Sequence, residues 1–345
     1  MIRLSQLWWE QFHGPAKFLE EFCQEAAQGG CFFLRHSQPI PWYFRFQDLV
    51  FERLQREVGH FRLEEPADLP QGAGPQWFVE RFLPQNASNF LSTTKLSTFL
   101  TQTGALKGRA VWLRVEDPDQ LPLWLEQLSQ FAVTPASKET IFILEGGSQL
   151  PSRRKVKLFD ADGAFTPFDG VQLCTIAANE TPCPELLKPY LTHLLDQLCG
   201  PEPGLVEMLL DRGVELMEAP QIAATYLDLD ADIVDRRVRR AQIILLLPIV
   251  EDMRVNLLTQ LYDQCKKLLP FEETTGTHTN DYKEVFELEV RHLRNFKRNG
   301  QLQMDDSQWA LAEAAYDTGN HFRHNMNPLS FQQVEELLRL AEGIR

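Results

Sequence analysis

Between Ile176 and Pro184 the chain changes character, and that change limits what it can fold into more than any other feature. Before it, short apolar runs alternate with amphipathic stretches. Cys31–Leu34 reads as a strand buried on both faces, Ala110–Val115, Thr140–Leu144 and Val171–Ile176 read as further strands, and their separation by helices argues for a parallel sheet with helices packed on it. Pro15–Gln28 carries Phe18, Phe22 and Ala26 at helical spacing and stops at Gly29-Gly30, and Trp42–Val58 and Leu123–Phe131 also read as helices. Phe61–Leu63 is a weak strand, Glu64–Gly74 is loop, and Lys155–Phe159 with the Asp-Ala-Asp-Gly turn after it predicts an edge hairpin or ribbon. After Pro184 no strand is expected. Glu185–Gly200, Gly204–Leu216, Asp232–Leu269, Tyr282–Lys297, Ser307–Asp317 and Phe331–Ile344 all show helical periodicity.

The expected fold class is therefore α/β: an N-terminal, mainly parallel sheet with flanking helices over 1–183, a helical connecting segment over 184–231, and an all-α bundle over 232–345. The 345 residues suit two domains of ordinary size. With 34 Lys and Arg against 48 Asp and Glu, the net charge of -14 repels a polyanion unless a local basic patch holds it. No apolar run reaches the roughly 20 residues that cross a bilayer, so no membrane partner is expected. The opening MIRLSQLWWEQFHG carries early charge and bulky aromatics, unlike a secretory signal. Six cysteines (23, 31, 174, 183, 199 and 265) are scattered with no CxxC pair, which argues against a disulfide framework or a cysteine-rich metal site and for a reducing cytoplasm. No metal and no cofactor are expected.

A phosphate-cradling loop needs glycines for close backbone approach, a lysine and a hydroxyl. The segment after the first strand instead reads Arg35-His36-Ser37-Gln38-Pro39-Ile40-Pro41, with no glycine and two prolines that remove N–H donors. Ala110–Val115 then leads into Glu116-Asp117, and Thr140–Leu144 into Glu145. In order and spacing, residues 15–215 resemble the P-loop ATPases of the STAND or AAA type with the phosphate loop lost. The resemblance implies that Glu116 and Asp117 stand where such enzymes hold a metal and Glu145 where they have a sensor strand. The plainer reading is that these acids cap helices and face water. His36 and Ser37 form a conceivable base and nucleophile, but lack an identifiable third group to orient them.

The C-terminal stretch Asn320-His321-Phe322-Arg323-His324-Asn325-Met326-Asn327-Pro328-Leu329, followed by a helix with Val334, Leu337, Leu338 and Ala341 on one face, resembles the HEPN-type bundles of prokaryotic conflict and anti-phage proteins. The resemblance covers about 232–345. It implies an Arg and a His with four to six residues between them, ahead of the Pro-Leu step, for RNA cleavage. Here Asn320 and Asn325 occupy those places, and an amide neither neutralises phosphate nor exchanges a proton near neutral pH. His321, Arg323 and His324 remain as a shifted alternative site, although adjacent helical residues point about 100° apart.

Three basic clusters are candidate phosphate or nucleic-acid contacts: Arg153, Arg154 and Lys155 after Ser152; Arg236, Arg237, Arg239 and Arg240; and Arg291, Arg294, Lys297 and Arg298. Unrelated solvated surfaces are the competing reading. The expectation is a non-catalytic regulatory or scaffolding subunit of a bacterial antiviral defence system, acting on another protein of that system, with homodimerisation through the bundle a candidate. The alternatives are a metal-independent ribonuclease and a nucleotide-binding switch without hydrolysis. The defence setting comes from the resemblance alone.

Overall fold

The computed structural model describes residues 3–59, 61–147, 153–200, 202–275 and 277–343. The chain divides into two compact units, 1–170 and 171–345.

The first unit opens with helices α1 (Leu4–Gln11) and α2 (His13–Ala27). α2 ends where Gly29 takes φ +71°, and a Cβ there would stand 2.3 Å from the Lys138 carbonyl, so no larger residue fits without backbone movement. There follow β1 (Gly30–Arg35), α3 (Tyr43–Glu57), β2 (Arg62–Leu63), β3 (Ala67–Asp68), α4 (Pro75–Phe82), α5 (Leu96–Thr103), β4 (Arg109–Arg114), α6 (Leu121–Ala132), β5 (Thr140–Gly146) and β6 (Val156–Asp160). The sheet runs β2-β4-β5-β1-β6, with β3 also beside β4, and every pairing is parallel. Alternate side chains serve opposite faces. Cys31, Phe33, Val111, Leu113, Phe142 and Leu144 share one core with Phe78, Trp124 and Leu128. Phe32 and Trp112 instead pack with Phe22 of α2, and Trp112 with Phe46 of α3. A strand covered on both sides favours apolar residues, and the buried polar groups of β5, Thr140 and Glu145, stand at its ends with hydrogen-bond partners.

Two sequence expectations fail in this region. Lys155–Phe159 forms no hairpin: β6 pairs parallel with β1 and closes the sheet edge. Val171–Ile176 is no strand but lies inside helix α7 (Pro167–Glu180), because Leu173, Cys174, Ala177 and Ala178 are buried at helical spacing. A short apolar run fits either period, and only the flanking residues decide. Glu64–Gly74 is loop apart from the two-residue β3.

The second unit is helical: α8 (Lys188–Cys199), the short α9 (Val206–Leu210), α10 (Gly213–Glu218) and α11 (Ile222–Leu227), the 30-residue α12 (Ala231–Gln260), α13 (Tyr262–Lys266), α14 (Val290–Arg298), α15 (Asp306–His324) and α16 (Phe331–Glu342). α12 packs on α8, α15 and α16. Within that core Gln242 is fully buried; its side chain accepts from the Leu329 N–H at 2.8 Å and donates to the Leu329 carbonyl at 2.9 Å. The Pro-Leu step before α16 is thereby tied to the middle of α12. Contrary to expectation, strands do occur here: β7 (Phe271–Thr275) and β8 (His278–Tyr282) make an antiparallel hairpin. Tyr282 therefore ends a strand rather than starting a helix, and the helix begins at Val290. Phe271 and Tyr282 are placed against the buried ring of His292, with centroids 5.5 and 4.6 Å away.

Candidate functional site

Open parallel sheets bind ligands outside the carboxyl ends of their strands, where the chain's direction of travel across the sheet reverses. Here that point is β1: the chain leaves it toward β2, β4 and β5 and returns to its other side at β6. A crevice of about 490 Å³ lies there, bounded by the loop after β1 and by Tyr43, Asp68, Arg114, Glu116 and Glu145.

The loop after β1 is held by the protein itself. Trp9 Nε1–H donates to the Pro41 carbonyl at 3.1 Å. The Asp162 carboxylate, from the turn after β6, accepts the backbone N–H of Ser37 at 2.7 Å and of Gln38 at 3.4 Å. Desolvation works to raise the Asp162 pKa, but these N–H groups and the Ser37 hydroxyl prevail and hold it below the usual carboxylate range. Amides that could receive a phosphate thus already hold an anion.

Glu145 forms the floor. It is 5% exposed and takes Trp112 Nε1–H at 2.7 Å, the Tyr43 hydroxyl at 2.5 Å and His36 Nε2 at 3.0 Å. The bond to Glu145 raises the His36 pKa above its ordinary value, against the desolvation that would lower it, and burial beside Glu145 raises that of Tyr43. Arg114 is engaged with Asp68 at 2.6 Å and lies 5.8 Å from the Tyr43 ring centre. Three carboxylates, those of Asp68, Glu116 and Glu145, therefore face one guanidinium. Asp117 points elsewhere, accepting from Gln120 Nε2 at 3.1 Å and Asp119 N–H at 2.9 Å ahead of α6, bonds that lower its pKa. Ser37 contacts Asp162, not His36, so the two form no nucleophile–base pair in this arrangement.

The alternative ribonuclease residues sit in the last turn of α15. His321 Nε2 meets the Asn327 carbonyl at 2.9 Å and Nδ1 the Asn325 amide at 3.3 Å, so the ring braces the turn into Pro328. Arg323 lines a separate cavity of about 270 Å³ with Glu251, Arg254, Glu289 and Arg291. His321 lines another, and Asn320 borders both. His324 is exposed. His321 and Arg323, two positions apart on one helix, are about 200° apart and are not brought together.

The basic clusters are largely spent on the protein's own acceptors. Arg237 donates to the Leu198 carbonyl, and Arg239 to those of Phe322 (2.7 Å) and Asn325 (3.1 Å). Arg236 bonds to the Asp232 carbonyl at 3.2 Å, and Arg240 is exposed. Arg291 pairs with Glu273 and Glu289, and Lys297 reaches the Met304 carbonyl. Arg294 bonds Glu313 and lies 3.7 Å from the centre of the Tyr316 ring, while Arg298 reaches Glu313 at 3.6 Å. Arg153, Arg154 and Lys155 are exposed; Ser152 lies outside the described residues. Among the described residues no group of three His, Cys, Asp or Glu side chains is placed to hold a metal ion, and no helix is long and apolar enough to cross a membrane.

Asp162, Tyr43 and Trp112 escaped the sequence reading. Asp162 had one signal, its place in an Asp-Ala-Asp-Gly turn, and carboxylates in such turns commonly accept nearby backbone N–H groups.

The sequence matches no protein-family model and no curated protein. Among solved structures, a chain of "Structure of Drosophila ORC bound to DNA" aligns over 99% of this chain and 98% of its own length, with 10% identity and a TM-score of 0.38. A likeness at that level carries no argument about activity.

Proposed function

We propose that this chain is a non-catalytic regulatory or scaffolding subunit that works by binding another protein, with a P-loop-like α/β unit that does not grip nucleotide. One observation carries the reading: the Asp162 carboxylate occupies the Ser37 and Gln38 amides at the end of β1, where a nucleotide's phosphates would need them. Repulsion by Asp68, Glu116 and Glu145 acts in the same direction. The separation of His321 from Arg323 supports the same conclusion for the bundle. The setting in a bacterial antiviral defence system, with the partner another protein of that system and the bundle HEPN-like, rests on the resemblance of 232–345, and cytoplasmic location on the cysteine pattern.

Thermal shift of the purified chain with millimolar ATP and magnesium, alongside incubation with labelled RNA, tests it. The expected result is an unchanged melting temperature, intact RNA, and recovery of a stoichiometric protein partner on affinity purification from the host. Stabilisation approaching ~2.7 kcal/mol, which ligand at 100 times its Kd confers, or RNA cleavage abolished by Arg323→Ala, overturns it.

A further inference from the structure

α12 exposes a stripe that no described residue covers. Arg236, Arg240, Ile244, Leu247, Glu251 and Val255 fall within an arc of about 100° on an ideal helix, and all six are exposed. The apolar members are 39% (Ile244), 40% (Leu247) and 40% (Val255) exposed. At the C-terminal end the patch continues onto Phe286, 49% exposed, whose carbonyl is held by Arg254 at 2.8 Å, and Tyr262, whose ring lies 6.1 Å from that of Phe286. Along the stripe Arg236 and Arg240 come first, Ile244 and Leu247 follow, and Glu251 stands between them and the apolar Val255.

We infer that this stripe is a homodimer interface, in which α12 of one copy packs antiparallel on α12 of a second. A two-fold interface must be self-complementary, and the four inner positions of the stripe meet that condition, while Arg236 and Val255 fall at its margin. With the axis midway between positions 244 and 247, Ile244 faces Leu247 of the other copy and Arg240 faces Glu251 of the other copy, each twice. Arg240 and Glu251 are 11 positions apart, about 16 Å along the axis and within about 20° of the same side, so both pairs form together. Parallel packing would set Arg240 against Arg240 and Glu251 against Glu251. Glu251 already holds Arg254 of its own chain at 2.6 and 2.8 Å, so its carboxylate is fixed before the partner arrives. The inference does not depend on what the α/β unit binds.

Sedimentation velocity or light scattering of the full chain at 10–100 µM tests it. Wild type runs as a dimer and Leu247→Asp as a monomer with an unchanged circular dichroism melt. Arg240→Glu and Glu251→Arg each weaken the dimer at least tenfold, and combining them restores it. A monomeric wild type, a dimer indifferent to Leu247→Asp, or two folded charge variants whose combination fails to recover affinity overturns the assignment.

Discussion

Glu145→Ala is the most informative single perturbation of the α/β unit. The carboxylate receives Trp112, Tyr43 and His36. Trp112 is 1% exposed, so its N–H has no water to turn to; an orphaned buried donor costs about 1–3 kcal/mol. Tyr43 and His36 border the crevice and can rebind water, losing about 0.5–1 kcal/mol each. The total is roughly 2–5 kcal/mol, against about 5–15 kcal/mol for a whole domain. Glu145→Gln retains one acceptor oxygen and should cost about 1–2 kcal/mol. Six of the seven tryptophans lie in 1–170, so urea titration followed by tryptophan fluorescence reports mainly on this unit. The pH series adds an independent readout. Glu145 raises the folded-state pKa of His36, so this contact stabilises fully below the ordinary value near 6.5 and is lost as pH rises through the higher folded value. Wild type should therefore lose more stability between pH 5.5 and 8.5 than Glu145→Gln does. A loss under 1 kcal/mol in Glu145→Ala, or identical pH slopes in wild type and Glu145→Gln, would refute the account of this network.

In the bundle, Gln242→Leu orphans both backbone groups of Leu329, costing about 2–5 kcal/mol, and faster hydrogen exchange at the Leu329 amide would locate the loss there. Asp162→Ala frees the Ser37 and Gln38 amides, which should then shift on titration with inorganic phosphate while wild type stays silent; a silent variant removes the idea that the carboxylate stands in for a bound anion.

How much of this was legible depended on whether a residue's partner lay nearby in sequence. β1, β4 and β5 could be read because burial on both faces forces an apolar run that short-range pattern alone reveals. Val171–Ile176 could not, because six apolar-rich residues satisfy a strand and a helix equally, and only Phe168 and Asp169 before them and Ala177 and Ala178 after them lengthen the run into α7. The hairpin at 271–282 was hidden for the opposite reason. Its strand residues are mostly polar, and it is held by cross-strand pairing and by Phe271 and Tyr282 against His292. That the loop after β1 is poor in free N–H donors was visible in its two prolines, but the carboxylate that holds its amides comes from Asp162, 125 residues beyond Ser37, and no local pattern connects them.

The run Arg236-Arg237-Val238-Arg239-Arg240 shows why a basic motif in sequence is poor evidence for nucleic acid. A helix sends successive residues around its circumference, so the four guanidiniums meet different surroundings. Arg237 and Arg239 turn toward the C-terminal ends of α8 and α15, where the last carbonyls lack helical partners and the helix dipole is negative, and they donate to Leu198, Phe322 and Asn325 there. These two serve to join helices. Arg236 and Arg240 are left on the open face, and two phosphate contacts would give a weak, steeply salt-sensitive hold on a chain whose net charge of -14 opposes it. The same two side chains begin a stripe that runs on through Ile244, Leu247, Glu251 and Val255. A protein surface offers that stripe both apolar area and, at Arg240, an acid for the guanidinium, whereas a nucleic acid answers only the charge.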